Sequence, residues 1–144
     1  MQVAERIRAD VTAAMKAGDK DRVTALRLVL SELQKDAKEG AGDEQAVLRR
    51  ERKRRRESET AYREAGREDL ATAEAFEAET IEAYMPAELS DGELDALVTA
   101  AVDDLAHPPT PRDMGRVIKQ VMAAAGGRAD GKRVSSKVKE ALGT

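Results

Sequence analysis

The chain has 144 residues, of which 37% are charged and 41% are hydrophobic, and its formal net charge is −3. It contains no cysteine, which excludes disulfides, thiolate metal sites and cysteine nucleophiles. Only 2% of the residues are aromatic, so the core must consist of aliphatic side chains and alanine, a composition that favours helices.

The opening segment, MQVAERIRAD, lacks an apolar signal core, and no apolar run approaches the roughly 18 residues of a membrane-spanning helix. We therefore expect a cytoplasmic protein without a membrane partner.

Charge is segregated along the chain. Residues 1–56 carry 15 basic and 10 acidic side chains, residues 57–104 carry 2 and 15, and residues 105–144 carry 8 and 3.

Two helices are predicted in the first forty residues. Helix one has apolar residues at every fourth position and ends at Gly18, and its predicted buried stripe is Val3, Ile7, Val11 and Met15. Asp21 is expected to cap helix two. The predicted buried side of helix two is Val23, Leu26, Leu30 and Leu33.

A helical hairpin is predicted next, with helix three at about 44–65 and helix four at about 69–84. Gly66 is the expected C′ residue between them. The short turn makes the two helices antiparallel, and matching Tyr62 with Leu70 across the seam places Arg55 opposite Glu77. We therefore expect an Arg55–Glu77 ion pair.

The basic run RRERKRRR, residues 49–56, lies on helix three. It could be a nucleic-acid contact, but the acidic residues of helix four predict internal pairing more strongly. Arg49, Lys53 and Arg56 are expected to point outward and remain candidate contacts with RNA.

Three further helices are predicted after Met85-Pro86. Ser90-Asp-Gly-Glu93 is a capping box for helix five, and Thr110-Pro111 begins helix six with proline in its first turn. Gly126-Gly127 ends helix six, and a short helix seven follows. The predicted fold is all-α, with a four-helix lobe over residues 1–89 and a three-helix lobe over residues 90–144.

The segment GGRADGKRVSS, residues 126–136, resembles the phosphate loop G-x-x-x-x-G-K-[ST]. Arg133 stands where that motif needs a hydroxyl for Mg²⁺, and the segment follows a helix and not a strand. We therefore predict no phosphate loop and no nucleotide cofactor.

The same residues still predict a compact anion-binding corner. Helix seven starts near Asp130 or Gly131, where free N–H groups and the helix dipole attract anions. The surrounding basic residues are Arg128, Lys132, Arg133, Lys137 and Lys139. An ordinary turn between two helices, kept soluble by its lysines, is the other interpretation, and these residues alone slightly favour it.

Several stretches resemble the GatB/YqeY family. "AYMPAELSDGEL", "RDMGRVIKQVM" and "GGRADGKRVSSKVKEAL" are similar to its C-terminal part. "ALRLVLSEL", "RRRESETAYREAGREDLA" and "EAETIEAYMP" are similar to the N-terminal part of free-standing YqeY proteins, so the resemblance covers nearly the whole chain. It implies a four-helix lobe followed by a three-helix lobe that is similar to the tail of the B subunit of tRNA-dependent glutamine amidotransferase.

That amidotransferase tail contacts the body of the tRNA, so the resemblance implies tRNA as the leading partner. The matching basic positions are Arg128, Lys132, Lys137 and Lys139, with Arg112, Arg116 and Lys119 on the preceding helix. Arg133 joins the set from its position beside Lys132. Gly131 is expected either to approach a phosphate closely or to adopt an unusual φ angle, since a Cβ would be excluded in both cases.

An amidotransferase label would imply a carbon–nitrogen ligase that uses glutamine as amido-N-donor. No serine has a readable base partner, and the single His107 lies in a proline-flanked loop without a second metal ligand nearby. We therefore expect no catalytic residues, metal, cofactor or small-molecule substrate. The leading interpretation is a non-catalytic tRNA-binding accessory protein, and the alternatives are a protein-interaction adaptor or an accessory to a carbon–nitrogen ligase.

Overall fold

The structure, a computed structural model, describes residues 2–143. These residues form seven α-helices and one 3-10 turn, and no strand occurs among them. The helices are α1 (Gln2–Ala17), α2 (Lys20–Glu39), α3 (Glu44–Glu64), α4 (Glu68–Glu82), α5 (Asp91–Asp103), α6 (Met114–Ala125) and α7 (Gly131–Leu142), with the 3-10 turn at Pro111–Asp113. The predicted all-α class is confirmed. None of the helices within residues 2–143 combines the length and apolar character that crossing a membrane requires.

The chain divides into two compact units, Met1–Met85 and Pro86–Thr144. This division falls four residues before the predicted boundary at residue 89. Leu89 explains the difference, because its side chain belongs to the apolar core of the second unit and its N–H donates to the carbonyl of Arg128 at 2.8 Å. Residues 86–89 therefore pack with the helices that follow them.

The first unit consists of two helical hairpins. Helix α1 packs against α2, α3 packs against α4, and α2 contacts both helices of the second hairpin. Its core is aliphatic apart from Tyr84, and the largest fully buried apolar side chains are Ile7, Leu26, Leu48 and Ile81. This core contains the predicted faces of α1 and α2 with one exception. Met15 is 56% exposed, because it lies in the last turn of α1, where the sulfur meets the Arg27 side chain at 3.5 Å.

The start of α2 also differs from its prediction. Asp19 caps this helix by accepting from the Arg22 N–H at 3.2 Å, whereas Asp21 lies inside the first turn. Both residues fit the preference for acidic side chains near a helix start, so composition alone could not separate them. The chain reverses direction only two residues after α1 ends, which fixes the earlier aspartate as the cap.

The α3–α4 turn has the predicted geometry. Gly66 has a φ of +75°, and the N–H groups of Gly66 and Arg67 donate to the carbonyls of Arg63 and Tyr62. These two bonds form a Schellman motif, in which a left-handed residue ends the helix. The tight reversal holds α3 and α4 antiparallel over their length.

The predicted ion pair between the hairpin helices is present, since Arg55 Nε lies 2.8 Å from a Glu77 carboxylate oxygen. Arg55 also faces Glu51 at 3.5 Å and Glu74 at 4.0 Å. The mostly buried guanidinium of Arg55 therefore contacts three carboxylates. Glu74 is the least well placed of them, and one of its oxygens is buried without a hydrogen-bond partner. Burial, and then the neighbouring charge of Glu77, raise the pKa of Glu74.

The second unit is a three-helix bundle in which α5, α6 and α7 contact one another. Ser90 and Glu93 form the predicted capping box at the start of α5. Helix six begins later than predicted, because Pro111–Asp113 form a 3-10 turn and the α-helix starts at Met114. Asp113 accepts from the Thr110 N–H at 2.8 Å, and this bond tightens the first turn.

We expect Glu74→Gln to stabilise the protein at neutral pH, by a few tenths of a kcal/mol to about 1 kcal/mol, because ionised Glu74 is poorly compensated. A carboxyl whose pKa is raised by folding contributes stability below its unfolded pKa, here 4.5, and loses it as pH rises through the folded pKa. The advantage of the variant should therefore vanish below about pH 4. Melting curves across this pH range measure it.

Glu77→Gln is the matched control, because it removes the 2.8 Å contact with Arg55 and should lower stability. A Glu74→Gln variant that melts below the wild type at pH 7 would contradict this account of the carboxylate cluster.

Candidate nucleic-acid interface

The turn between α6 and α7 is built on two consecutive glycines. Gly126 has a φ of +58° and Gly127 a φ of +82°, both in the left-handed region where a Cβ is costly. The N–H of Arg128 then donates to the carbonyl of Ala125 at 3.0 Å. The predicted helix stop at these glycines therefore has a direct backbone cause, and the turn brings the apolar last turn of α6 close to the start of α7.

Arg128 holds this turn against the segment that precedes α5. Its Nε donates to the carbonyl of Ala87 at 2.8 Å, while its own carbonyl accepts from the Leu89 N–H at 2.8 Å. Arg128 was predicted as an RNA contact, but it also has this structural role. Truncating its side chain would therefore disturb the local fold as well as remove a charge.

The start of α7 is not the open set of amides that the sequence suggested. Asp130 caps the helix, and its carboxylate accepts from the Arg133 N–H at 2.8 Å. A negative charge thus already occupies the positive end of the helix dipole. Gly131 does not have the unusual φ that was expected, and a Cβ built on it would meet nothing within 4 Å.

Two cations of α7 are paired with carboxylates of α5. A guanidinium nitrogen of Arg133 lies 2.9 Å from Asp91, and Lys137 Nζ lies 3.1 Å from Asp95. The partners are four residues apart on each helix and increase together in number, so α5 and α7 run in the same direction at this contact. The hydrogen bond from Arg133, followed by the charge of Lys137, lowers the pKa of Asp91. The hydrogen bond to Asp95 raises the pKa of Lys137.

The basic residues of the 3-10 turn and α6 differ from Arg133 and Lys137 in their ion pairing. Arg112, Arg116 and Lys119 are exposed, and within residues 2–143 no carboxylate forms an ion pair with any of them. Spacings of four and three residues place such side chains along one side of a helix. Lys132 is likewise exposed at the start of α7, and Lys139 is exposed towards its end. We call the surface of Arg112, Arg116 and Lys119 the α6 basic face.

The sequence model of the Yqey-like protein family matches residues 4–142, nearly the entire chain. The chain belongs to this family. A search of curated proteins finds no match. The predicted membership is thereby confirmed, and the residues that form the turn, α6 and α7 all lie within the matched range.

Sequence reasoning found the basic positions of this Yqey-like protein but missed the carboxylates that occupy some of them. The structure brings Asp91 and Asp95 onto Arg133 and Lys137, and Asp130 onto the start of α7. A signal was present, since the acidic pair in SDGELD and the basic pair in α7 share the same spacing of four residues. Reading it required knowing that α5 and α7 are parallel neighbours.

The basic run of α3 is also largely paired. Arg56 was expected to point outward, but it forms ion pairs with Glu59 and with Glu82 of α4. Lys53 is highly exposed and has only a 4.0 Å contact with Glu57, as expected for an outward-facing side chain. In the part of the chain that the structure describes, no group of three or more histidine and carboxylate side chains is arranged to hold a metal ion.

We expect Gly131→Ala to leave stability unchanged or to raise it by up to about 1 kcal/mol, because alanine has the higher helix propensity and the Cβ meets open space. Gly126→Ala should cost roughly 1–2 kcal/mol, because it forces a Cβ into the left-handed region. Chemical denaturation of the two variants, compared with wild type, measures both effects. Equal destabilisation by the two substitutions would show that Gly131 has a steric role that its surroundings do not reveal.

Proposed function

We propose that this Yqey-like protein is a non-catalytic accessory protein that binds tRNA through its phosphate backbone and its shape. The observation that carries the proposal is the α6 basic face, where Arg112, Arg116 and Lys119 are exposed and without ion-pair partners among residues 2–143. Arginine and lysine side chains that neutralise phosphates supply most of the sequence-independent affinity for nucleic acids.

The absence of aromatic residues favours backbone contact over base recognition. The last aromatic residue in the sequence is Tyr84, which lies before the second unit. Recognition of unpaired RNA bases relies on stacking against aromatic or arginine planes, so no aromatic platform is available on this unit. A folded RNA that presents a defined path of phosphates, as tRNA does, suits a rigid helical face.

The exposed cations are not equivalent in this proposal. Arg116 and Lys119 are the leading contacts, since their side chains extend from a helix whose apolar face is fixed by Val117 and Val121 in the core. Lys132, exposed at the start of α7, is a further candidate. Arg128 has its structural bond to Ala87, and Arg133 and Lys137 are engaged by α5, so they are secondary.

A second candidate function is a protein-interaction adaptor, which the α3–α4 hairpin favours. Tyr62 and Phe76 are both more than one-third exposed on this hairpin. Aromatic side chains are enriched in protein interfaces, where they contribute a large contact area. Such an adaptor could serve a carbon–nitrogen ligase that uses glutamine as amido-N-donor. Purification of the tagged protein, followed by identification of bound RNA and bound protein, separates the two candidates.

We expect Arg116→Ala/Lys119→Ala to weaken tRNA binding severalfold. The salt slope of the binding constant should fall by roughly two, because each cation that no longer neutralises a phosphate lowers it by about one. Filter binding of tRNA at several salt concentrations measures both quantities. Neither side chain is in the core, so the melting temperature should change little.

The matched control is Lys16→Ala/Lys20→Ala, which removes two exposed positive charges from the first unit. It should leave the affinity and the slope close to wild type. Equal weakening in both double variants would mean that net charge alone governs binding, and the α6 basic face would then have no special role.

We also expect the purified protein to show neither glutaminase activity nor nucleotide hydrolysis, because we assign no residue to a nucleophile, metal or phosphate-loop role. Assays of ammonia release from glutamine and of phosphate release from ATP measure this. Turnover that survives repurification, and that one point substitution abolishes, would contradict a non-catalytic function.

A further inference from the structure

The α5–α7 contact carries an inference that rests on the proposed tRNA binding and extends it. Two of the cations predicted as RNA contacts, Arg133 and Lys137, are occupied by Asp91 and Asp95. We propose that this contact is a latent phosphate-binding surface, in which the two α5 carboxylates occupy the places that RNA phosphates take when tRNA binds.

The exposure of the four side chains supports an exchange at this surface. Asp91 and Asp95 are 75% and 57% exposed, whereas Arg133 and Lys137 are 27% and 23% exposed. The cations therefore lie at the base of the contact and the carboxylates at its solvent side. Each ion pair has a largely exposed carboxylate that water can reach and screen, so releasing the carboxylates costs little.

The packing of α7 keeps its cations in place when the carboxylates leave. Val134 and Val138, each one residue beyond a cation, are fully buried in the core of the second unit. The backbone of α7 is thus fixed independently of Asp91 and Asp95. Arg133 and Lys137 are separated by four residues, which is about 6 Å along the helix axis, so they can meet separate phosphate groups.

The surroundings give the phosphate an approach path along α7. An open depression is lined by Lys132, Arg133, Ser136 and Lys137, with Asp130 and Glu140 at the same surface. Lys132 and the Ser136 hydroxyl add donors to the two released cations, while the two acidic groups oppose an anion. Without the α5 carboxylates this surface would have a small positive surplus, and Asp91 and Asp95 cancel it in the free protein.

This arrangement makes α5 a regulator of affinity and not a contact with RNA. The carboxylates lower the affinity for arbitrary polyanions, because any ligand must first displace both of them. A ligand that places two phosphates along α7 while it contacts the α6 basic face offsets that penalty. Removing the carboxylates should therefore strengthen binding, which is opposite to the effect expected if they only stabilise the fold.

The test is Asp91→Asn/Asp95→Asn, measured by tRNA filter binding across salt concentrations, with melting curves to verify folding. We expect tRNA affinity to rise by roughly three- to tenfold, since two carboxylates no longer compete with RNA phosphates for Arg133 and Lys137. The salt slope should also rise, because two more cations release counterions. Adding Arg133→Ala/Lys137→Ala to this variant should abolish the gain, whereas the same pair in the wild-type background should have a smaller effect.

Glu39→Gln/Glu64→Gln removes two exposed negative charges from the first unit and is the matched control. If the wild type binds tRNA and the α5 variant gains no more than this control, the latent surface is refuted and the proposed function stands. If neither the wild type nor the α5 variant binds tRNA, the proposed function and the latent surface are both refuted. A gain that persists after Arg133→Ala/Lys137→Ala would also refute the inference, because the released cations would not be its source.

Discussion

In each unit of this protein an acidic helix lies against a basic one, and ion pairs join them. In the first unit, α4 supplies Glu77 and Glu82 to the arginines of α3. In the second, α5 supplies Asp91 and Asp95 to the cations of α7. These ion pairs decide which cations of the four helices have a carboxylate partner and which do not.

For function, these ion pairs divide the basic residues into those that have a carboxylate partner and those that do not. The density of lysines and arginines along each helix would give α3 and α7 the strongest claim to bind RNA, yet many of their side chains are paired. Helix α6 has fewer cations, but those of its basic face have no carboxylate partner in the described chain. Exposure and pairing together are therefore a better guide to a phosphate contact than the density of positive charge.

The three carboxylates around Arg55 show the cost of such pairing. Glu77 has a close contact and the buried Glu51 also meets Arg54 at 3.3 Å, whereas Glu74 has only a 4.0 Å contact with Arg55 and a buried oxygen without a hydrogen bond. Buried carboxylates are expensive unless they are fully paired, so this cluster fixes the register of the hairpin more than it stabilises the hairpin. The second unit avoids that cost because its ion pairs lie at the surface, where exchange with another anion is feasible.

Local patterns in the sequence predict the helices, the family and the contact between α3 and α4. Apolar residues at helical spacing, glycines at the turns and the capping box of α5 are local signals, and the Arg55–Glu77 pair followed because a short turn at Gly66 forces two helices to be antiparallel neighbours. Which cations of the second unit are paired with carboxylates depends on tertiary packing. Asp91 and Arg133 are 42 residues apart, and their contact depends on how three helices pack around a common core, which no local pattern encodes.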